Sequence, residues 1–196
     1  MAISNDLFDH VKMEEFKIAD FIENSERKLS VGLQGAINGD NTANLIDNMN
    51  ETLMTCSAII LIDNTQKRAI LYHYPACYLC NEIKEVKEKS KILGLFNLLR
   101  GVDCVYIYTG CPRGCNTVSI QNDQQKIIKT IQDRMKDRKY EIKCCFVASG
   151  TAYVYYDGAN IITGTTGQFG KLYSYDRIPK TGCTSLDNTA RASIYL

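Results

Sequence analysis

The chain has 196 residues, of which 45% are hydrophobic and 23% charged, and its formal net charge is +1 at pH 7. This length and composition predict one globular domain with a sizeable core. They argue against a nucleic-acid-binding protein, which needs Lys and Arg concentrated on one face, and no apolar run approaches the roughly 20 residues of a membrane-spanning helix.

Cysteine usage indicates a reducing compartment. The chain contains nine cysteines, an odd number, and its start, Met1 to Asp6, is polar and acidic. That start lacks the basic and apolar regions of a cleaved signal peptide. Since disulfides persist mainly in oxidising compartments, we expect reduced thiols in a cytoplasmic protein, or in one secreted without a cleaved signal into a host cytosol.

The first part of the chain is predicted to be helical. Apolar residues between Phe8 and Ile22 recur at helix-like spacings, which predicts an amphipathic helix over residues 6–28. Glycines then break the pattern, and a short helix is expected over Thr42 to Glu51. We therefore divide a single domain, residues 1–196, into a helical N-terminal extension over residues 1–40 and a core over residues 45–196.

A hairpin is predicted in the middle of the chain, with a cysteine at its beginning and a histidine at its end. Apolar residues run from Ser57 to Ile62 and from Ala69 to Tyr72, and the polar segment between them is typical of a turn. Antiparallel neighbours joined in this way bring their far ends together. Cys56 and His73 are therefore expected to meet at one rim of a sheet, which is the minimal arrangement for a cysteine nucleophile and its base.

The rest of the chain alternates between helical and strand patterns. Helices are predicted over Asn81 to Leu99 and over Gln121 to Lys139, and strands over Val102 to Tyr108 and over Tyr140 to Val147. The glycine-rich remainder resembles a β-meander. The fold class is therefore α+β, a single domain in which helices flank a mixed or antiparallel sheet, with a sandwich-like arrangement as one form of it.

The residues around the hairpin resemble a superfamily of cysteine-dependent glutamine deamidases. The superfamily includes the chemoreceptor deamidases of bacterial chemotaxis, the catalytic domains of the cytotoxic necrotizing factors and the Burkholderia lethal factor type. Its Leu-x-x-Cys motif is matched by Leu53 and Cys56, whereas Met54 and Thr55 replace the small residues usual between them. The histidine one hairpin later is His73, and the order of elements agrees over roughly residues 45–165.

The resemblance implies a protein glutamine deamidase that acts through a thioester. Cys56 would be the nucleophile, held as a thiolate in an ion pair with His73, and His73 would serve as general base and acid. The amide of Cys56 and a neighbouring amide would bind the oxyanion. Water would release glutamate, an amine would give transglutamination instead, and neither a cofactor nor a metal is needed.

A third group is expected to orient the imidazole. In the chemotaxis and lethal-factor branches it is a threonine six residues before the cysteine, and the residue here is Asn50. An asparagine carboxamide can accept from the ring N–H. Thr52 is the second candidate, and a backbone carbonyl is the third.

The partner implied by the resemblance is a protein that carries the target glutamine. An effector or toxin would modify a host protein, and a chemotaxis enzyme would modify a receptor. The departures from the motif favour the effector, but both alternatives stay open. The oligomeric state is left undetermined.

Two other interpretations do not require catalysis. Cysteines on apolar strands are usually small core side chains, so Cys56 would also fit a binding protein that kept the scaffold. Four other cysteines have near-zinc spacing, although scattered reduced thiols are favoured over a zinc site or a disulfide. These four are Cys77, Cys80, Cys111 and Cys115. The second histidine, His10, is expected at the surface of the first helix.

Overall fold

A computed structural model describes most of the predicted core. The described residues are 8–21, 28–33, 56–75, 82–110, 117–136, 140–147, 150–165 and 173–174. They form ten strands and two α-helices. The strands are β1 (Phe8–His10), β2 (Phe16–Asp20), β3 (Lys28–Leu33), β4 (Ser57–Asp63), β5 (Arg68–Tyr74), β6 (Cys104–Gly110), β7 (Glu141–Val147), β8 (Gly150–Tyr156), β9 (Ile161–Thr165) and β10 (Tyr173–Ser174). The helices are α1 (Glu82–Leu95), which continues into a 3-10 turn over Phe96–Leu98, and α2 (Thr117–Arg134).

A mixed sheet of six described strands forms the centre of the fold. Its order is β10-β7-β6-β4-β5-β2. Every residue of β4 is buried, because its continuous Ala, Ile and Leu run is covered on both faces. The predicted hairpin of β4 and β5 is confirmed, and its register pairs Ser57 with Tyr74 and Ala58 with His73.

The two helices cover one face of this sheet. Each is amphipathic: α1 buries Ile92 and Leu95, and α2 buries Ile127, Ile128 and Ile131. These side chains pack on the odd-numbered residues of β4 and the even-numbered residues of β5. Helix α2 also provides the crossover that a parallel pair requires, since β6 and β7 run parallel.

A second sheet covers the opposite face. Its described strands have the order β1-β3-β8-β9, and Ala152 and Val154 of β8 pack against Ala58 and Ile60 of β4. The molecule therefore has three layers, namely helices, a central sheet and a second sheet. The α+β class and the packing of helices on a mixed sheet are confirmed, and the two facing sheets give the sandwich-like form.

The predicted N-terminal helix is wrong. Residues within its range form β1 and β2, and β3 begins at Lys28. In β2 the burial alternates as in a strand: Ile18 packs on the helix side of the sheet, and Ala19 packs between the sheets. Because β2 pairs with β5 over its whole length, residues 16–20 belong to the central sheet and not to an appended helical extension.

The remaining predicted elements are largely confirmed. Both long helices and the strands near residues 104 and 141 appear within a few residues of their predicted bounds. The glycine-rich tail contains the antiparallel pair β8 and β9. It is not a continuous meander, because β10 pairs with β7 in the other sheet. The short helix predicted over Thr42 to Glu51 lies outside the described residues.

Candidate active site

Cys56 and His73 lie at the same rim of the central sheet. Cys56 immediately precedes β4, and its carbonyl accepts a hydrogen bond from the amide of Gly110 at 3.0 Å, so the strand geometry extends to it. The register that pairs Ala58 with His73 makes Cys56 the diagonal neighbour of His73 on the same face. Diagonal neighbours in an antiparallel pair lie roughly 7–8 Å apart between Cα atoms, within reach of long side chains.

This shared face is the one between the two sheets. Ala58 and Ile60, two and four residues after Cys56, both pack there, as does Leu71, two residues before His73. Both side chains are almost completely buried, with exposed fractions of 0% for Cys56 and 3% for His73. The sequence prediction that a thiol and an imidazole share one rim therefore agrees with the fold.

A backbone carbonyl orients the imidazole. The Nδ1 atom of His73 lies 3.2 Å from the carbonyl oxygen of Val11. A carbonyl can only accept, so Nδ1 carries the proton and Nε2 holds the lone pair. Of the three groups expected to orient the imidazole, the backbone carbonyl is that of Val11. Asn50 and Thr52 both lie outside the described residues.

Burial keeps the imidazole neutral. The loss of hydration, reinforced by the charge of His10, lowers the pKa of His73 from 6.5 to about 4, although the Val11 hydrogen bond acts in the opposite direction. At pH 7 the ring is therefore a neutral base. This differs from the expected ion pair with a stored thiolate, because a buried site disfavours the imidazolium on which such a pair depends.

The Nε2 atom of His73 has no hydrogen-bond partner. Among the described residues it is one of two buried side-chain polar atoms in that condition, the other being Oγ1 of Thr165. A buried polar group without a partner costs roughly 1–3 kcal/mol. Such an atom needs a specific explanation, and a catalytic role is one of those found in native structures.

The Cys56 thiol contacts a methionine. Its Sγ atom lies 3.8 Å from Sδ of Met13, a half-buried residue in the turn between β1 and β2. The same turn contributes Val11, and it is joined to His73 by two backbone hydrogen bonds, Glu14 N to His73 O at 2.9 Å and His73 N to Glu15 O at 3.0 Å. One short segment therefore contacts both candidate catalytic residues.

A buried polar network fixes the helix side of the same rim. The hydroxyls of Ser57 and Thr109 lie 3.0 Å apart, and Nε2 of Gln124 donates to Oγ1 of Thr109 at 3.0 Å. The network ties β4, β6 and α2 together one residue after Cys56. Sequence patterns gave no signal for it, because Gln124 occupies an ordinary position in a helix.

Comparisons with known proteins add nothing to this geometry. No family model, curated protein or solved structure matches the chain. The Leu53 to Thr55 part of the motif lies outside the described residues.

The other described cysteines have core environments at other places. Cys144 packs on the helix side of the central sheet and Cys145 between the sheets, and burial raises the pKa of Cys144 to about 12. Burial also raises the pKa of Cys104, which lies at the opposite rim, across from Ile62. Of the two histidines, His10 is exposed as expected, although it lies on a strand.

The four cysteines with near-zinc spacing lie outside the described residues. Within the described part of the chain, no group of three or more Cys, His, Asp or Glu residues could hold a metal ion. Neither described helix is long and apolar enough to cross a membrane.

Proposed function

We propose that the protein is a cysteine-dependent protein glutamine deamidase. The observation that carries the proposal is the rim at which Cys56 and His73 are diagonal neighbours, with Nδ1 of His73 on the Val11 carbonyl. Nε2 accepts no hydrogen bond from the Cys56 thiol, so the two side chains must approach each other before the proton moves. A nucleophile, a base beside it and a group that orients the base are the parts that thioester chemistry requires.

The reaction begins with a neutral thiol and a neutral imidazole. His73 Nε2 takes the thiol proton while Sγ of Cys56 attacks Cδ of the glutamine carboxamide, and a tetrahedral oxyanion forms. The imidazolium returns the proton to the amide nitrogen, the C–N bond breaks and ammonia leaves. Water, deprotonated by Nε2, then attacks the thioester, which restores the thiol and releases glutamate.

Val11 has a defined part in these steps. Its carbonyl fixes the Nδ1–H tautomer and accepts a charge-assisted hydrogen bond when the ring becomes imidazolium. Because this partner is a neutral carbonyl and not a carboxylate, it supports the imidazolium only weakly. The ring stays a base at neutral pH because burial lowers the pKa of His73, and the Val11 hydrogen bond offsets only part of that shift.

Mass spectrometry tests the proposal directly. Lysate proteins incubated with the wild-type chain should gain about 1 Da at glutamine, the difference between an amide and an acid. Cys56→Ser should abolish the gain, and His73→Gln should slow it by roughly 10²–10⁴-fold, the usual contribution of a general base.

Cys104→Ser is the matched control. It removes a half-buried thiol at the opposite rim and should leave the activity unchanged. Equal glutamine masses with wild-type and Cys56→Ser protein would count against the deamidase.

One observation favours a non-catalytic alternative. Cys56 is completely buried, as a core cysteine of a binding protein would be. In that case Cys56→Ser would leave the binding of the partner unchanged, and His73→Gln would affect only stability. The glutamine mass shift distinguishes the two functions, because only a deamidase would produce it.

A further inference from the structure

The turn between β1 and β2 contacts both residues of the candidate active site. The turn segment, residues 11–15, holds the imidazole through Val11 and places Met13 against Cys56. Glu14 adopts the left-handed conformation with φ 65°, which is uncommon for a residue other than glycine. The turn segment therefore has an uncommon backbone conformation next to the residues that contact Cys56 and His73.

A lysine side chain of helix α1 holds the turn segment in place by a hydrogen bond to its backbone. Nζ of Lys91 donates to the Glu14 carbonyl at 3.2 Å and to the Glu88 carboxylate at 3.0 Å. Glu88 is buried and also accepts a hydrogen bond from the Tyr72 hydroxyl. The turn segment is therefore anchored by side chains as well as by its backbone bonds to His73.

Met13 has the size and shape of a glutamine. In both side chains the δ atom follows Cβ and Cγ, so Sδ of methionine corresponds to the carboxamide carbon of glutamine. Sδ of Met13 lies 3.8 Å from Sγ of Cys56, close to the roughly 3–3.5 Å separation from which a nucleophile attacks. Met13 thus contacts the thiol with the atom whose counterpart in a substrate would be attacked.

The unpaired nitrogen of His73 agrees with this arrangement. A thioether has no N–H to donate, so a methionine in the substrate position leaves a neighbouring lone pair unsatisfied. The lone pair at Nε2 is therefore left for the thiol proton, which it passes to the nitrogen of a carboxamide that takes the place of Met13.

We propose that the turn segment is a built-in pseudosubstrate, in which Met13 occupies the position of the glutamine to be deamidated. This inference rests on the proposed deamidase function and extends it in two ways. The resting enzyme is closed until a substrate protein displaces the turn segment. The substrate class is a glutamine at the tip of an exposed tight turn, because that is the backbone form that the rim already accommodates.

The decisive variant is Met13→Gln. Sγ of Cys56 should attack the introduced carboxamide, release ammonia and form an internal thioester, which water then hydrolyses to a glutamate. Peptide mass spectrometry should find a gain of about 1 Da at residue 13. The double variant Met13→Gln with Cys56→Ser is the matched control and should keep the glutamine.

A second variant tests closure without any chemistry. Met13→Ala should raise the rate at which iodoacetamide modifies Cys56 by about tenfold or more, since a buried thiol reacts only after local opening. Met13→Leu keeps the volume and should react at the wild-type rate. Circular dichroism and urea unfolding of all variants show whether each one is folded.

The outcomes separate the two proposals. If wild-type protein deamidates lysate proteins while the glutamine introduced at residue 13 survives, the pseudosubstrate is wrong and the deamidase stands. If Met13→Ala does not speed thiol modification, Met13 does not close the site and the pseudosubstrate is wrong. If neither lysate proteins nor residue 13 are deamidated, both proposals are wrong.

Discussion

At the scale of single residues, His73 links the site to stability. Its pKa is about 4 in the folded protein and 6.5 when exposed, so between these values the unfolded state binds more protons than the folded state. Stability is therefore complete above pH 6.5 and is lost as the pH falls toward 4, by about 3 kcal/mol in total.

We expect His73→Phe to remove this pH dependence. Urea unfolding at pH 7 and pH 4.5 should show that the wild type loses roughly 2–3 kcal/mol more than the variant does. His10→Gln removes only the charge that reinforces the low pKa of His73, so it should retain most of the wild-type slope. An unchanged slope in His73→Phe would mean that other groups produce the acid sensitivity.

The sequence predicted the position of His73 but not its surroundings. The apolar hairpin and its polar turn predicted that His73 and Cys56 share a rim, because strand registers follow from turn length and from the alternation of side chains. The sequence could not identify which group orients the imidazole of His73. A backbone carbonyl at Val11 is available in any residue type, so no side-chain pattern identifies it.

At the scale of elements, residues 8–20 show where hydrophobic periodicity fails to predict the type of secondary structure. Short amphipathic segments can satisfy a helical and a strand pattern together, and tertiary pairing decides between them. Here the open edge of β5 pairs with residues 16–20, which makes the segment a strand. The longer helices α1 and α2 have stronger periodicity and were predicted close to their observed bounds.

Helix α1 supplies the element-scale prediction. Lys91→Met removes both the hydrogen bond to the Glu14 carbonyl and the ion pair with Glu88. The turn segment should then open more often, and iodoacetamide should modify Cys56 several-fold faster. Lys89→Met is the control on the same helix, because Lys89 pairs with Glu85 at the surface and does not contact the turn segment.

Urea unfolding of the Lys91→Met and Lys89→Met variants shows whether faster modification of Cys56 comes from local opening of the turn segment or from a lower stability of the whole fold. Burial raises the pKa of Glu88, and Lys91 opposes that shift, so Lys91→Met also leaves a buried carboxyl group without its cation. Glu88→Gln with Lys91→Met removes that penalty and should keep the faster modification. Equal rates for the Lys89 and Lys91 variants would contradict the fastening role.

At the scale of the whole molecule, one strand carries two cores. In β4, Ile59 faces the helices and Ile60 faces the second sheet, and both are completely buried. The helices and the second sheet both pack on β4, and neither of these outer layers has a core of its own. We therefore expect all three layers to unfold together. The position of the rim that holds Cys56 and His73 on the sheet-to-sheet face then depends on both cores.

Ile59→Ala and Ile60→Ala test this coupling. Each should destabilise the protein by about 2–5 kcal/mol, the usual loss for truncating a buried isoleucine. Unfolding in urea should remain a single transition, with the same midpoint in the far-ultraviolet circular dichroism of the helices and in tyrosine fluorescence. Only Ile60→Ala should also speed modification of Cys56, because Ile60 lies on the face that holds Cys56 and His73. A first transition in Ile60→Ala that leaves the helical signal intact would mean that the second sheet unfolds alone and that the site depends on one core.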